Sequence, residues 1–292
     1  MAVVNTNVNA SIAQNALTKN ERSMNTAMER LSTGKRINSA KDDAAGLAIS
    51  SRMTSQIRGL ETGVRNANDA ISMINVADGA LVEVGNMLQR MRELALQASN
   101  GTTTESDRTY LNTEYTNLIT EIERIADNTQ WNGVNILNQA SSASSTFKYQ
   151  VGANGGQTIA VNFGAIDQTS GNGAASAFAK FATNASGASI AATTSASAVT
   201  TGSRVLDNID TALTLLNSQR ATFGAAVNQL SYAVDNLSNV KVNAEAARSR
   251  IEDTDYAAET SELARTQIIH QAGMAMLAQA NQVTATVLAL LK

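Results

Sequence analysis

Side chains that could carry catalytic chemistry are scarce in this sequence of 292 residues. Cysteine is absent, which excludes disulfides, thiol catalysis and cysteine-based metal sites. His270 is the single histidine, and no carboxylate lies within four residues of it. The sequence also lacks the His-Glu-x-x-His pattern of zinc proteases, and no nucleophile with a base or phosphate-binding loop can be assembled. We therefore expect no enzyme, no metal and no cofactor, and we interpret His270 as a packed side chain.

Charge and hydropathy exclude two further classes of protein. The net charge is -3 and no basic block stands out, which argues against nucleic-acid binding. No stretch approaches the ~18 consecutive apolar residues of a membrane span, so we expect no membrane insertion. Residues 1–15 lack the basic and apolar regions of a secretory signal peptide, so composition alone favours a cytoplasmic location. The charged cluster Arg90, Arg92 and Glu93 reads as a solvated helix face.

The absence of proline has two readings that the sequence leaves open. It suits long, uninterrupted helices, and it also avoids slow prolyl isomerisation during unfolding and refolding. Aromatic residues make up only 4%, so small and aliphatic side chains must fill the interior.

The stretch from Ala44 to Ser99 carries the strongest periodicity. Apolar residues recur every three or four positions, which predicts one long helix packed lengthwise on others. The seam consists of Ile57, Leu60, Val64, Ala67, Ile71, Ile74, Leu81 and Leu88, and it is interrupted at Asp78 and Gly85. A second heptad stripe, within 205–249, predicts a partner helix. The expected fold is mainly α: an elongated, hairpin-shaped rod of coiled-coil-like helices with a small β-hairpin region.

Shorter elements surround these two helices. We predict a first helix over 1–33, with Ser39 or Asp42 capping the helix that follows. Thr104 or Ser106 is expected to cap a third helix, followed by a loop in which Trp131 anchors packing. Alternation at 147–151 and 159–163 predicts a β-hairpin. The low-complexity tract 166–203 is interpreted as a mobile or solvent-facing excursion, and the helix from Ala257 to Leu291 carries no charge after Arg265, which suits burial in an assembly.

Several long motifs resemble those of bacterial flagellins, the subunits of the flagellar filament. They are MAVVNTNVNASIAQN at 1–15, RLSTGKRINSAKDDAAGLAIS at 30–50, GLETGVRNANDAISMINVADGAL at 59–81, LQRMRELALQASNGT at 88–102, WNGVNIL at 131–137 and RIEDTDYAAETSELARTQIIHQAGMAMLAQANQ at 250–282. They cover both terminal thirds, whereas 140–203 carries little of the resemblance. The family often has a proline after the final Ala-Asn-Gln-Val, where this chain has Thr284-Ala285.

The resemblance implies a domain plan. Segments 1–42 and 255–292 would be paired inner-tube helices that line a central channel. Segments 43–165 and 204–254 would form the outer tube, with 166–203 as a variable surface segment. Independently of the resemblance, the expected exposure of that tract suggests that its Ser and Thr hydroxyls accept sugars. The triplet Asn184-Ala185-Ser186 also fits a glycosylation sequon, although such triplets occur by chance. The residues assigned to polymerisation are Leu17, Leu31, Leu277, Val287, Leu288, Leu290 and Leu291.

The implied function is a self-assembling structural subunit of the motility filament. The chain would leave the cell unfolded through the flagellar type III export channel and work extracellularly. Implied partners are further copies of itself, the export apparatus and its chaperone, and the filament cap and hook–filament junction proteins. Hosts would recognise the monomer through the flagellin-sensing Toll-like receptor, with Gln89, Arg90, Leu94, Gln97 and Glu114 as the contact patch. The alternative is that this face serves subunit packing in the filament and that receptor binding is opportunistic; both can be true, because assembly would bury what the receptor contacts. A second reading of the chain is a hook–filament junction protein.

Overall fold

The structure, a computed structural model, describes residues 7–138, 146–164, 190 and 195–290, with side chains left out for 195–202 and 283–290. The described elements are α1 (Val8–Thr33), α2 (Ala44–Ala98), α3 (Glu105–Asn128), β1 (Gln130–Trp131), β2 (Val134–Asn135), β3 (Thr146–Gln150), β4 (Thr158–Asn162), α4 (Ser195–Glu252) and α5 (Tyr256–Leu290). The predicted mainly helical fold with a small β-hairpin region is confirmed.

Local side chains define where the helices begin. Asn7 caps α1, since its Oδ1 accepts from the Ala10 N–H at 3.0 Å. Thr104 caps α3 in a reciprocal capping box with Asp107. The prediction for α2 is wrong by one residue: Asp43 accepts from the Gly46 N–H at 2.8 Å. Asp42 instead accepts from the Ser39 N–H and hydroxyl, each at 2.9 Å, and so closes the preceding turn.

Contacts divide the chain into two compact units. The first comprises Met1–Ile57 with Val242–Lys292, and the second comprises Arg58–Lys241. These boundaries fall inside α2 and α4, whereas the domain plan from sequence divides the chain at 42/43 and 254/255.

The second unit holds the larger core. Most predicted seam positions of α2 are buried there: Leu60, Ala67, Ile74, Leu81 and Leu88, whereas Val64 and Ile71 are half-buried. From α4, Ile209, Leu216, Phe223 and Leu230 complete the core at heptad spacing. The heptad patterns therefore identified the faces that the two longest helices bury.

The predicted β-hairpin is present as an antiparallel pair. Phe147 lies opposite Val161 and Tyr149 lies opposite Ile159, so the alternating apolar residues share one face. The backbone just after β3 lies on α2 at Gly59 and Gly63. A Cβ on Gly63 would come within 2.6 Å of the Val151 carbonyl oxygen. The hairpin backbone therefore approaches the helix more closely than any other residue would permit.

The segment after α3 is more ordered than predicted. Strands β1 and β2 form a short antiparallel ladder around a turn in which Asn132 has φ 50° and Gly133 has φ 77°. These positive values fit the Asn-Gly type I′ hairpin turn. Trp131 is half-buried against the core, as expected, but Ile136 and Leu137 are the fully buried anchors.

The low-complexity tract departs from the prediction in two places. Helix α4 begins at Ser195, ten residues before the expected start at Val205. Ile190 is buried in the second unit, and its N–H donates to Asn112 Oδ1 at 2.9 Å. This part of the tract is therefore anchored rather than solvent-facing. The sequon at Asn184 and most of 166–194 lie outside the described residues.

Candidate functional site

The first unit is built on the antiparallel pair of α1 and α5. Asn7 Nδ2 donates to the Ala280 carbonyl at 3.0 Å, and Asn20 Nδ2 donates to the Thr266 carbonyl at 2.7 Å. Further along, Arg30 and Glu259 form an ion pair at 3.6 Å. Residues later in α1 contact residues earlier in α5, so the two helices run in opposite directions and contact each other along most of their length.

This pair has almost no core of its own. Among the described residues of the first unit, the buried apolar side chains are Ala27, Ile37 and Ile57. Large apolar side chains are instead exposed on both helices: Val8, Ile12 and Met28 on α1, and Ile268, Ile269, Met274 and Met276 on α5. Ile268 and Met276 are 67% and 66% exposed. An apolar surface of this kind marks a site for another protein surface.

A groove of about 440 Å³ opens between the two helices in the same region. Its lining is mostly small or apolar, with Ile12, Ala13, Ala16, Met276 and Ala280 among the contributors. The small side chains leave a channel that side chains of a neighbouring protein can fill.

Leu17, Leu31 and Leu277, three of the predicted polymerisation residues, are half-buried within the first unit. The side chains of Val287, Leu288 and Leu290 lie outside the described part of the chain, as does all of Leu291.

A polar junction joins the loop after α1 to the turn between α4 and α5. Glu252 accepts from Lys35 Nζ at 2.5 Å and from the Ser50 hydroxyl at 2.5 Å. These hydrogen bonds, with that from Lys35 the stronger influence, lower the pKa of Glu252. The Arg36 N–H donates to the Glu252 carbonyl at 2.7 Å, and the Thr254 N–H donates to the Gly34 carbonyl at 3.1 Å. The periodicity and capping signals of the sequence did not reveal this network.

In the second unit, α2 and α3 present a polar surface patch. Gln89, Arg90, Gln97 and Glu114 are all exposed. Arg90 Nε donates to Glu114 Oε1 at 2.8 Å across the two helices, and Arg90 Nη1 donates to Glu93 at 3.0 Å. Its bond to Glu114, and then its bond to Glu93, raises the pKa of Arg90.

Leu94 does not belong to that patch. Its side chain is fully buried in the core. Spacing places Leu94 in the same helical sector as Arg90 and Gln97, but it does not determine how far each side chain extends. The long polar side chains reach solvent at the edge of the buried face, whereas the aliphatic one packs inward. Of the five residues predicted to form the contact patch, Gln89, Arg90, Gln97 and Glu114 are therefore exposed, and Leu94 is not.

The described residues hold no cluster of three His, Asp or Glu side chains able to bind a metal ion. His270 is half-buried on α5. None of the helices in the described part of the chain combines the length and hydrophobicity needed to cross a bilayer.

Comparisons with known proteins agree with this architecture. The family profile of the bacterial flagellin N-terminal helical region matches residues 4–142, and that of the C-terminal helical region matches residues 206–291. A flagellin of Halalkalibacterium halodurans is 43% identical over 290 residues, covering 99% of this chain and 100% of the relative. A flagellin of Xenorhabdus nematophila is 43% identical over 316 residues, covering 100% and 99%.

A solved structure described as a flagellar hook-associated protein from Vibrio parahaemolyticus superposes with a TM-score of 0.54 at 16% identity, covering 73% of this chain and 100% of that chain. At this level of identity, the likeness concerns the fold alone.

The fold, the exposed apolar helix pair and these relatives define a helical structural protein rather than an enzyme. The chain belongs to the flagellin family, the structural subunits that polymerise into the bacterial flagellar filament.

Proposed function

We propose that this chain assembles into the filament through the α1–α5 pair, which forms the inner tube, with the rest of the chain as the outer tube. The observation that carries the proposal is the exposed apolar surface of that pair beside its very small core. Burying an aliphatic side chain that is two-thirds exposed contributes about 1 kcal/mol, so several such residues repeated at every subunit contact support a stable polymer.

Assembly also supplies the environment that α5 lacks alone. No side chain after Arg265 carries a formal charge up to Leu291. An isolated helix of this composition exposes apolar surface on every side, whereas a neighbour on each side buries it. In this proposal the terminal helices order as they are buried, and the burial offsets the entropy lost on ordering.

Seeded polymerisation tests the proposal directly. The full chain is compared with the double variant Ile268→Ser with Met276→Ser, and with Gln267→Ser, a polar exposed control on the same helix. We expect the full chain and the control to elongate seeds into tubes seen by electron microscopy, and the double variant to stay in the supernatant. Equal elongation by the double variant would contradict the proposal.

The same experiment addresses the alternative, a hook–filament junction protein. A junction protein binds the end of a seed and does not extend it. Capped seeds that no longer elongate when fresh subunits of this chain are added would favour that alternative over a filament subunit.

The inner and outer positions have a separate readout. In a density map of the polymer, residues 1–42 and 255–292 are expected at the smallest radius, with 43–165 and 204–254 outside them. The reverse order would contradict this arrangement.

Within this proposal, the contacts between subunits in the polymer involve Leu17, Leu31, Leu277, Val287, Leu288, Leu290 and Leu291.

The working location in this proposal is outside the cell, after unfolded export through the flagellar type III channel with its chaperone. The absence of cysteine and proline is compatible with such a route, since neither disulfides nor prolyl isomers then slow refolding. The filament cap and junction proteins would be further partners. Release of the full-length chain by cells that lack the export channel would contradict this route.

A second function, recognition of the monomer by the Toll-like receptor of hosts, is favoured by the Arg90–Glu114 pair. Exposed arginine is a frequent energetic centre of protein interfaces. Arg90→Ala and Glu114→Ala should each weaken receptor signalling by monomers. Arg124→Ala, which removes an exposed ion pair with Glu121 on α3, is the matched control. Unchanged signalling by both patch variants would exclude the assignment.

A further inference from the structure

Beyond the Arg30–Glu259 ion pair near its start, α5 has no charged side chain that could fix how it aligns with α1. After Arg265 the helix carries no formal charge up to Leu291, and its surface is largely alanine and aliphatic residues. Such a helix can slide by a turn or a heptad along its partner and still bury a similar area. One alignment must be selected by something other than hydrophobic burial.

Two contacts on the first unit are specific to one alignment. The first is steric: Leu17 lies over Gly273, where an added Cβ would come within 3.0 Å of Leu17 Cδ2 and 3.1 Å of Leu17 Cγ. Gly273 is the single glycine in the sequence of α5. Sliding by a turn or a heptad would set Leu17 against Ile269, Leu277, Thr266 or Ala280, and each of these carries a side chain that fills the space.

The second contact is polar. Asn20 interrupts the apolar stripe of α1, and its Nδ2 reaches the Thr266 carbonyl at 2.7 Å. Thr266 is 1% exposed, and its own hydroxyl turns back to the Glu262 and Leu263 carbonyls, each at 2.9 Å. Asn20 thus donates to the carbonyl of a buried residue whose own hydroxyl is hydrogen-bonded within α5. A polar side chain in an apolar helix seam is a known means of fixing register at some cost in stability.

We propose that Leu17 seated on Gly273, together with the Asn20 amide on Thr266, sets the register of the α1–α5 pair. This inference rests on the proposed role of that pair in assembly and deepens it. It gives Leu17 a role within its own subunit, where it holds α5 in the alignment that presents the apolar residues to a neighbour. Asn7, whose amide donates to Ala280 at 3.0 Å, supports the same alignment at the far end.

Disulfide trapping in the full chain tests the register, because the natural sequence contains no cysteine. Ala13→Cys is combined in turn with cysteine at 269, 272, 276 and 280. Ala13 and Met276 line one void, so the pair at 13 and 276 reports the observed register. A disulfide forms readily only where the two Cα atoms lie within about 7 Å.

The register is loosened by Asn20→Leu with Gly273→Ala. The control is Asn25→Leu with Gln271→Ala, two similar changes at exposed positions of the same helices. In the natural sequence and the control, we expect one maximum of crosslinking, at 276. In the loosened variant the yield at 276 should fall at least several-fold relative to the control, with new crosslinks at other positions.

Crosslinks are read in both the pelleted polymer and the supernatant. The supernatant of each variant is compared with that of the natural sequence, so a variant that fails to assemble is scored against unassembled natural chain. A single maximum at 276 in both fractions of the loosened variant would overturn the proposal, as would new crosslinks of the same pattern in the control. If the natural sequence crosslinks at 276 but never elongates seeds, the proposed function fails and the register assignment stands.

Discussion

Arg220 of α4 donates from Nε to Asp78 Oδ1 of α2 at 2.8 Å. One heptad along α2, Gly85 faces Leu216, and a Cβ there would come within 3.3 Å of Leu216 Cδ2. Arg220 and Leu216 lie one turn apart on α4. One turn of α4 therefore complements both interruptions of the α2 seam. Arg220 pairs with the opposite charge of Asp78, and Leu216 fills the space above Gly85.

The Asp78–Arg220 pair should contribute modestly to stability. The side chains of Arg220 and Asp78 are 40% and 37% exposed, so water screens the pair. In a double-mutant cycle of Asp78→Asn and Arg220→Gln, we expect a coupling energy of about 0.5 kcal/mol in urea unfolding. The coupling should shrink in about 1 M salt. A coupling that does not change with salt would mean that the pair acts through packing.

Two glycines of α2 should respond to alanine with opposite signs. In Gly63→Ala the new Cβ would lie 2.6 Å from the Val151 carbonyl oxygen, so the hairpin must move away and stability should fall. At Gly79 nothing lies within 4 Å of the added Cβ, so Gly79→Ala should raise stability by up to about 1 kcal/mol through helix propensity. Urea midpoints of the two variants provide the comparison. Equal midpoints would show that the hairpin does not rest on Gly63.

The buried hydroxyl of Tyr115 should be dispensable. Burial raises the pKa of Tyr115, and among the described residues its hydroxyl has no hydrogen-bond partner. Tyr115→Phe should therefore leave stability unchanged or raise it by about 1 kcal/mol. Tyr149→Phe is the contrasting variant, because Tyr149 donates to Met73 Sδ at 2.9 Å and burial raises the pKa of Tyr149 to about 12. Thermal unfolding of both variants measures the difference in stability. A marked loss of stability in Tyr115→Phe would show that the Tyr115 hydroxyl has a hydrogen-bond partner.

The Glu252 junction should weaken in acid. Hydrogen bonds from Lys35 and Ser50 lower the pKa of Glu252 below its ordinary value of 4.5, so the folded state favours the charged carboxylate. The stabilisation is complete above pH 4.5 and is lost as the pH falls through the lowered value. The protection of the Arg36 and Thr254 amides against hydrogen exchange, measured relative to the unstructured rate at each pH, should fall over that range in the natural chain.

Glu252→Gln provides the control for this acid response. It removes the titrating group but keeps the backbone carbonyl that accepts from Arg36. Protection of these amides should be lower than in the natural chain at neutral pH and should change much less as the pH falls. The same acid response in the variant would assign the effect to another carboxylate.

The regular parts of this fold could be predicted because their signals are local and repetitive. The seam from Leu60 to Leu88 and the alternation at 147–151 and 159–163 each depend on one helix or strand face. The Asn132-Gly133 turn was equally visible in the sequence, since Asn-Gly is a strong hairpin signal, but its strands are only two residues long.

What sequence reasoning missed depends on partners. Asp78 and Gly85 interrupt the heptad pattern of α2 when that helix is considered alone. They are seen to complement Arg220 and Leu216 only when α4 is known. Leu94 shares a helical sector with exposed residues, and its burial is decided by α2 packing against the core. Ile190 lies in a tract whose average composition is polar and small, so composition could not single out one anchoring side chain.

Ile190 and Phe163 belong to the same buried core, and 26 residues separate them in the sequence. The cost of closing a loop between two fixed points rises only with the logarithm of its length, so doubling that stretch would cost about 0.6 kcal/mol. A foreign peptide or an added domain inserted between these two side chains should therefore be accommodated without any change in the helices of the second unit.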